Sequence, residues 1–139
     1  MSSKFQSLEV PAAALNGSIS AQVLDPGSQP TEIVTGSSAW QIEVEWEIRG
    51  FLVPSLAGTW RVQTAFDPVG PGAGQLFPAA PQNVTLTPTN GNYRVVFNLA
   101  NAIPNGTYEV VVNLSYVTAA GTPGRMAGLV ELGTVVVQA

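Results

Sequence analysis

Residues 40 to 49 read WQIEVEWEIR, and this stretch decides the fold class. Every even position carries an apolar side chain and every odd position a polar one, without exception over ten residues. Successive side chains of a β-strand point to opposite faces, so the alternation places Trp40, Val44 and Ile48 on a buried face. A helix would scatter the same apolar residues around its circumference. The stretch therefore predicts a β-strand with one buried face and one solvent-exposed face.

Six other segments carry the periodicity or the β-branched composition of strands, and turn residues separate them. They are Ser18–Leu24, Thr59–Phe66, Val84–Leu86, Tyr93–Leu99, Thr107–Val117 and Leu129–Gln138. No convincing helical pattern lies between them. Seven short strands with short connections predict an all-β fold with antiparallel pairing, in a sandwich or a barrel.

The connections between these segments differ in their turn chemistry. Asn90-Gly91 favours a type I′ turn and predicts a hairpin between the fourth and fifth strands. The stretch Gly121–Gly124 predicts a longer hairpin tip between the last two strands. Residues 67–81 carry four prolines and three glycines, so they cannot form a central strand and are predicted to be a long loop.

The first seventeen residues lack a turn-bounded strand pattern, although Phe5, Leu8 and Val10 alternate loosely. They are predicted to be a disordered tail, an eighth strand, or an arm that adds to the sheet of another subunit. We accordingly divide the chain into an N-terminal arm or edge strand, 1–17, and a sandwich domain, 18–139. The N-terminus carries one positive charge and no apolar run of a secretory signal, so we expect a cytoplasmic location or an assembled particle.

The composition is that of one globular domain with few charges. The 139 residues are 45% hydrophobic and only 10% charged, against about 25% charged in an average domain. The net charge is −4, and the five basic residues are too few for a positive stripe, which argues against nucleic acid as a partner. The apolar runs are much shorter than the roughly 20 residues of a spanning helix, so we expect no membrane insertion.

The chain lacks the side chains on which most catalytic sites depend. It contains no cysteine and no histidine, so thiol nucleophiles and histidine-based triads are excluded. The only lysine is Lys4, in the N-terminal segment. We therefore expect no enzyme, no catalytic residue and no cofactor.

One dense group of carboxylates comprises Glu43, Glu45 and Glu47, on the exposed face of the strand predicted at 40–49. These residues could bind a cation, or they could form ion pairs with Arg61 or Arg94 on neighbouring strands. Calcium usually needs about six to eight oxygens that converge from a loop. Ion pairing is therefore favoured, and no metal site is predicted.

Residues 99–112, LANAIPNGTYEVVV, resemble the junction into the sixth strand of immunoglobulin-like and fibronectin type III-like domains. In that family a leucine and a turn with Pro and Gly precede a Tyr-x-Val-x-Val strand. The resemblance implies that the Tyr108 hydroxyl bonds to the backbone just upstream, and that Trp46 or Trp60 is the core tryptophan. The absence of cysteine points to the cysteine-free members. The resemblance implies a seven-stranded immunoglobulin-like β-sandwich, or an eight-stranded one if the N-terminal segment forms a strand.

Four apolar residues are candidates for binding a partner. Leu76 and Phe77 form a cluster in the proline- and glycine-rich segment, where they either fold back over an open sheet edge or anchor a partner. Trp40 lies at the end of its strand, which makes it the tryptophan best placed to be exposed. Phe5 belongs to the N-terminal arm.

We expect a non-catalytic structural or protein-interaction module, acting as a subunit of a larger assembly. A sandwich with few charges, an N-terminal arm and an apolar loop has surfaces suited to packing, so a protein partner or self-association is expected, with strand addition at a sheet edge as the mechanism. The alternative is a carbohydrate-binding or adhesive module, which predicts at least one tryptophan exposed beside a polar groove. An accessory domain with enzymatic activity is the third class.

Overall fold

A computed structural model of the chain describes residues 2–6 and 13–139. These residues form nine β-strands and one turn of 3₁₀ helix at Val53–Ser55. The strands are β1 (Ser2–Gln6), β2 (Asn16–Leu24), β3 (Ile33–Thr35), β4 (Gln41–Arg49), β5 (Gly58–Pro68), β6 (Gln75–Thr85), β7 (Gly91–Asn98), β8 (Gly106–Thr118) and β9 (Pro123–Gln138). In this part of the chain no helix has the length and apolar character needed to span a membrane.

The strands form two sheets. The six-stranded sheet has the order β1-β9-β8-β5-β6, and β3 lies next to β1 along the same edge of β9. The three-stranded sheet has the order β2-β4-β7. Among the described strands every pair is antiparallel except β3 with β9, which run parallel. The buried faces of the two sheets share one core, so the predicted all-β sandwich is confirmed, with nine strands rather than seven or eight.

The alternating stretch that decided the fold class forms β4, the central strand of the three-stranded sheet. Its even residues are buried, and its odd residues are half-buried or exposed. β2 pairs with one side of β4 from Asn16 to Leu24, and β7 pairs with the other side from Gly91 to Asn98. The period of two predicted both the strand and its buried face.

Trp60 of β5 lies at the centre of an aromatic cluster that joins the two sheets. Its side chain is fully buried. Its ring centroid lies 6.2 Å from that of Trp46, 5.9 Å from Tyr93, 5.7 Å from Tyr116 and 6.1 Å from Phe5. Trp46 and Tyr93 belong to the three-stranded sheet, and Tyr116 and Phe5 to the six-stranded one. Both tryptophans proposed for the core are therefore packed between the sheets.

Tyr108 fixes the start of β8. Its hydroxyl donates a hydrogen bond to the backbone oxygen of Pro104 at 2.8 Å, and its buried ring meets Phe66 edge to face. The predicted bond from Tyr108 to the upstream backbone is confirmed. The bond stabilises the connection that crosses from β7 in one sheet to β8 in the other.

The N-terminal segment contains a strand, which was one of the three alternatives predicted for it, whereas β3 was not predicted from the sequence. β1 pairs antiparallel with β9 of the same chain, with Lys4 opposite Leu129, so the first residues include an edge strand of the chain's own sheet. Leu8 and Val10 lie outside the described residues. β3 covers only three residues, which is too short for a period of two to be recognised.

The predicted loop at 67–81 is wrong at both ends: β5 continues to Pro68 and β6 begins at Gln75, which leaves 69–74 as the loop. β6 is an edge strand, and an edge tolerates prolines because one row of its backbone groups has no strand partner. Phe77 pairs with Thr64, but the next paired residue of β6, Gln82, pairs with Val62. β6 therefore carries extra residues at this point, which form a bulge. The Gln63 side-chain amide donates to the backbone oxygens of Pro78 and Ala79 and holds this bulge in place.

The predicted hairpin at Asn90-Gly91 is also wrong. β6 lies in the six-stranded sheet and β7 in the three-stranded one, so the segment between them crosses from one sheet to the other. The Asn90 side-chain oxygen accepts a hydrogen bond from the backbone N–H of Gly50 at 3.0 Å. This contact anchors the crossing to the end of β4. By contrast, the hairpin predicted at 121–124 is formed between β8 and β9.

Candidate interaction surface

The structure separates the neighbours Leu76 and Phe77 onto opposite faces of β6. The Phe77 ring is half-buried and meets Phe97 edge to face at 5.9 Å, so it lies over the open edge between β6 and β7. Leu76 is 56% exposed on the outer face. Trp40 is fully buried and packs edge to face against Phe66, 6.2 Å away.

Phe5 lies on the inner side of β1, at the other edge of the six-stranded sheet. Its ring packs against Trp60 and over Gly17 of β2, where a Cβ would come within 2.6 Å of the ring. A glycine at position 17 thus leaves room for the ring at the mouth between the sheets. Since β1 and β6 are the two edges of one sheet, the structure does not bring Phe5 and Leu76 together.

All three tryptophans are buried, at 2% exposure or less. Sugar rings usually stack on an exposed aromatic face, and the carbohydrate-binding alternative predicted at least one such tryptophan. That expectation is not met, because Trp40, Trp46 and Trp60 all contribute to the core.

The outer face of the three-stranded sheet carries ion pairs. The Arg94 guanidinium lies 2.5 Å from a carboxylate oxygen of Glu43 and 3.7 Å from one of Glu45. Arg49 lies 3.0 Å from Glu47. The predicted pairing of the glutamates with Arg94 is confirmed, whereas Arg61 lies in the other sheet and does not take part. Within the described residues no group of three or more potential ligands is arranged to hold a metal ion.

The hydrogen bonds from Arg94 hold the pKa of Glu43 below its ordinary value of 4.5. A carboxylate with a lowered pKa in the folded state stabilises the fold above its unfolded pKa, and loses that contribution as the pH falls through the folded value. We expect Arg94→Gln to lower the free energy of unfolding by about 0.2–1 kcal/mol at pH 7, since the arginine is mostly exposed. Urea unfolding measured from pH 7 to pH 2.5 should show this difference shrinking below pH 4.5.

The double variant Glu43→Gln/Arg94→Gln supplies the control for this prediction. In the Glu43→Gln background the arginine has lost its main partner, so its removal should have a smaller effect with little dependence on pH. An Arg94→Gln effect that stays the same size down to pH 2.5 would contradict the assignment of the stabilisation to the Glu43 carboxylate.

The outer face of the six-stranded sheet has a different character at its centre. Leu76, Ala65 and Val111 lie side by side in register across β6, β5 and β8. The next row on the same face pairs Gln63 with Asn113, and Asn113 with Leu129 of β9. We call these residues the neutral patch: Gln63, Ala65, Leu76, Val111, Asn113 and Leu129.

The neutral patch contains no charged residue, although Glu131 of β9 lies beside Val111 and Lys4 of β1 lies beside Leu129 at its border. Its apolar residues are all partly or largely exposed. Ala65, Val111 and Leu129 are half-buried, although each occupies a position whose side chain points away from the core. An outward face of a sheet that touches only water usually carries polar side chains. The patch is therefore the candidate interaction surface of this sheet.

Of the neutral patch, only Leu76 was predicted from the sequence as a candidate contact residue. One sign of the patch was visible in the sequence. Val111 is apolar at a position of the strand at 106–118 where the alternation calls for a polar side chain. The patch itself joins residues from four strands that are far apart in the sequence. It could not be assembled before the strand order and register were known.

No protein-family model matches the chain, and no similar sequence was found among the curated proteins.

Proposed function

We propose that this chain is an immunoglobulin-like sandwich that acts as a non-catalytic structural subunit and associates through the neutral patch. The strand order supports the immunoglobulin-like assignment, since β2, β4 and β7 face β5, β8 and β9 as strands A, B and E face C, F and G in that fold. The bond from the Tyr108 hydroxyl to Pro104 and the buried Trp60 are further features of that fold.

The observation that carries the proposed role is the neutral patch itself. It extends over four neighbouring strands, and it contains Leu76 at 56% exposure beside Ala65 and Val111. Apolar side chains on the outer face of a flat sheet gain free energy when a second protein surface covers them. The contact would cover the exposed side chain of Leu76 and the half-buried side chains of Ala65 and Val111.

The grooves of the molecule support a non-catalytic role. A groove of about 810 Å³ between β2 and β9 contains a single ionisable side chain, Glu32. Another groove, on the three-stranded sheet, contains Glu45 and Glu47, and both carboxylates lie close to arginines. Glu32 has no second ionisable side chain in its groove that could act as the partner acid or base.

The native mass of the purified chain tests the proposal. We expect light scattering over a wide concentration range to give a mass above the 14.5 kDa of one chain. The variant Val111→Glu places a charge at the centre of the patch and should return the protein to 14.5 kDa, because burying an unpaired carboxylate is costly.

Two matched measurements keep this test specific. Glu45→Val changes a side chain on the outer face of the other sheet and should leave the association unchanged, and circular dichroism should show the same strand content for both variants. A wild-type chain that stays at 14.5 kDa at every concentration would refute association through the patch.

A further inference from the structure

The outer face of the six-stranded sheet carries opposite charges at its two ends. Asp67 of β5 and Glu109 of β8 are paired neighbours at one end. Arg61 lies at the other end of β5, and Arg125 lies at the same end on β9. Six residues separate Asp67 from Arg61, which corresponds to about 20 Å along the strand. Between the two ends lie the neutral patch and, beside it, the charged residues Glu131 of β9 and Lys4 of β1.

These charges are not neutralised by each other within one chain. Among the described residues, Arg61, Arg125 and Asp67 form no salt bridge, whereas Arg49 and Arg94 of the three-stranded sheet both do. The basic and acidic ends are too far apart for direct contact in the monomer. The charges of Arg61, Arg125 and Asp67 therefore remain available to a partner, whereas the Glu109 carboxylate accepts a hydrogen bond from the Thr134 hydroxyl.

Two copies of one face can pack about a two-fold axis in two simple ways. An axis parallel to the strands sets acidic end against acidic end and basic end against basic end. An axis that runs across the strands reverses one copy, and sets each acidic end against a basic end. Like charges placed opposite each other cost several kcal/mol at an interface, so the second arrangement is strongly favoured.

We propose that the partner on the neutral patch is a second copy of this chain, docked face to face with its strands antiparallel to those of the first. In this arrangement Arg61 of each copy lies opposite Asp67 of the other, and Ala65 and Val111 pack near the two-fold axis. This inference rests on the proposed function and adds the orientation in which the two copies bind. The contact is isologous, so one surface supplies both sides.

The size of the face fits such a contact. Five strands spaced about 4.8 Å apart and seven residues long span about 24 by 23 Å. Two copies would bury about 1,100 Å² in total, which exceeds the roughly 1,000 Å² expected of a specific interface. Sheets that pack face to face also interdigitate their side chains, which suits the small residues Ala65 and Asn113.

Charge reversal tests the orientation directly. Arg61→Asp places an acidic side chain opposite Asp67 of the other copy, and Asp67→Arg places a basic side chain opposite Arg61 of the other copy. Each variant alone should self-associate about tenfold or more weakly than the wild type, because both contacts across the axis become repulsive. An equimolar mixture should associate again, because every contact in the mixed pair joins opposite charges. Sedimentation velocity of each variant and of the mixture measures both effects.

Control variants carry the same changes of charge elsewhere on the molecule. Arg49→Asp and Glu32→Arg reverse exposed charges away from the neutral patch and should associate as the wild type does. If Arg61→Asp or Asp67→Arg alone associates as strongly as the wild type, the antiparallel arrangement is wrong while the proposed function stands. If both are weakened and the mixture does not recover, the pairing of Arg61 with Asp67 is wrong. A monomeric wild type would instead overturn the proposed function.

Discussion

Replacement of Trp60 by alanine is expected to lower the free energy of unfolding by about 3–5 kcal/mol, the range for large aromatic residues removed from a packed core. Trp60 is fully buried and contacts aromatic rings from both sheets, so its removal leaves a cavity at the centre of the sandwich. A domain of this size is commonly stable by about 5–15 kcal/mol. The variant should therefore be folded but marginal.

Urea unfolding followed by far-ultraviolet circular dichroism measures this loss. Phe51→Ala is a suitable control, because Phe51 is 71% exposed and its removal should change stability by no more than about 0.5 kcal/mol. If Trp60→Ala were no more costly than Phe51→Ala, the rings around Trp60 would not form the core described above.

The second large effect is expected at Gly58, the first residue of β5. Its φ angle is +140°, and a Cβ there would lie 2.1 Å from the backbone oxygen of Val117. Gly58→Ala therefore combines unfavourable backbone geometry, about 1–2 kcal/mol, with a clash that costs about 1–3 kcal/mol. The total loss should be about 2–5 kcal/mol.

Gly121 provides a matched comparison for this prediction. Its φ angle is +82°, but nothing lies within 4 Å of the Cβ position. Gly121→Ala should therefore lose only the contribution from the backbone geometry, about 1–2 kcal/mol. Thermal or urea unfolding of both variants separates the two contributions. Equal losses at the two positions would mean that the close approach of Val117 to Gly58 does not exist.

The sequence predicted the fold class because the strongest strand patterns are local. In β4 the alternation of nine neighbouring residues shows which side chains are buried, and no knowledge of partner strands is needed. Tyr108 was predicted for a similar reason, since its hydroxyl bonds to Pro104 only four residues upstream. Patterns and contacts between residues that are close in the sequence can be predicted from one sequence alone.

The errors arose where the outcome depends on distant residues. The turn at Asn90-Gly91 has hairpin chemistry, yet its path is set by the N–H of Gly50, 40 residues earlier. β6 contains two prolines and is a strand only because it lies at an edge and because Gln63 holds its bulge. Turn residues and prolines indicate the local conformation of a segment, but they do not indicate which strand lies beside it.

The candidate surface was the least accessible to sequence reasoning. Leu76, Ala65 and Val111 become one apolar row only through the register of β6, β5 and β8. Buried residues can be recognised from the period of their own strand. A surface patch requires the order of strands, which the turns of this chain did not reveal.

The placement of charges on the outer face has a consequence for how dissolved ions act on it. The neutral patch has no charged member, while Asp67 and Arg61 lie at its two ends. At 0.1 M ionic strength the Debye length is about 10 Å, so added salt weakens attraction between the exposed ends. Burial of Leu76 and Val111 is not screened, and sulfate would strengthen it. Salt should therefore loosen the alignment of two bound copies before it separates them.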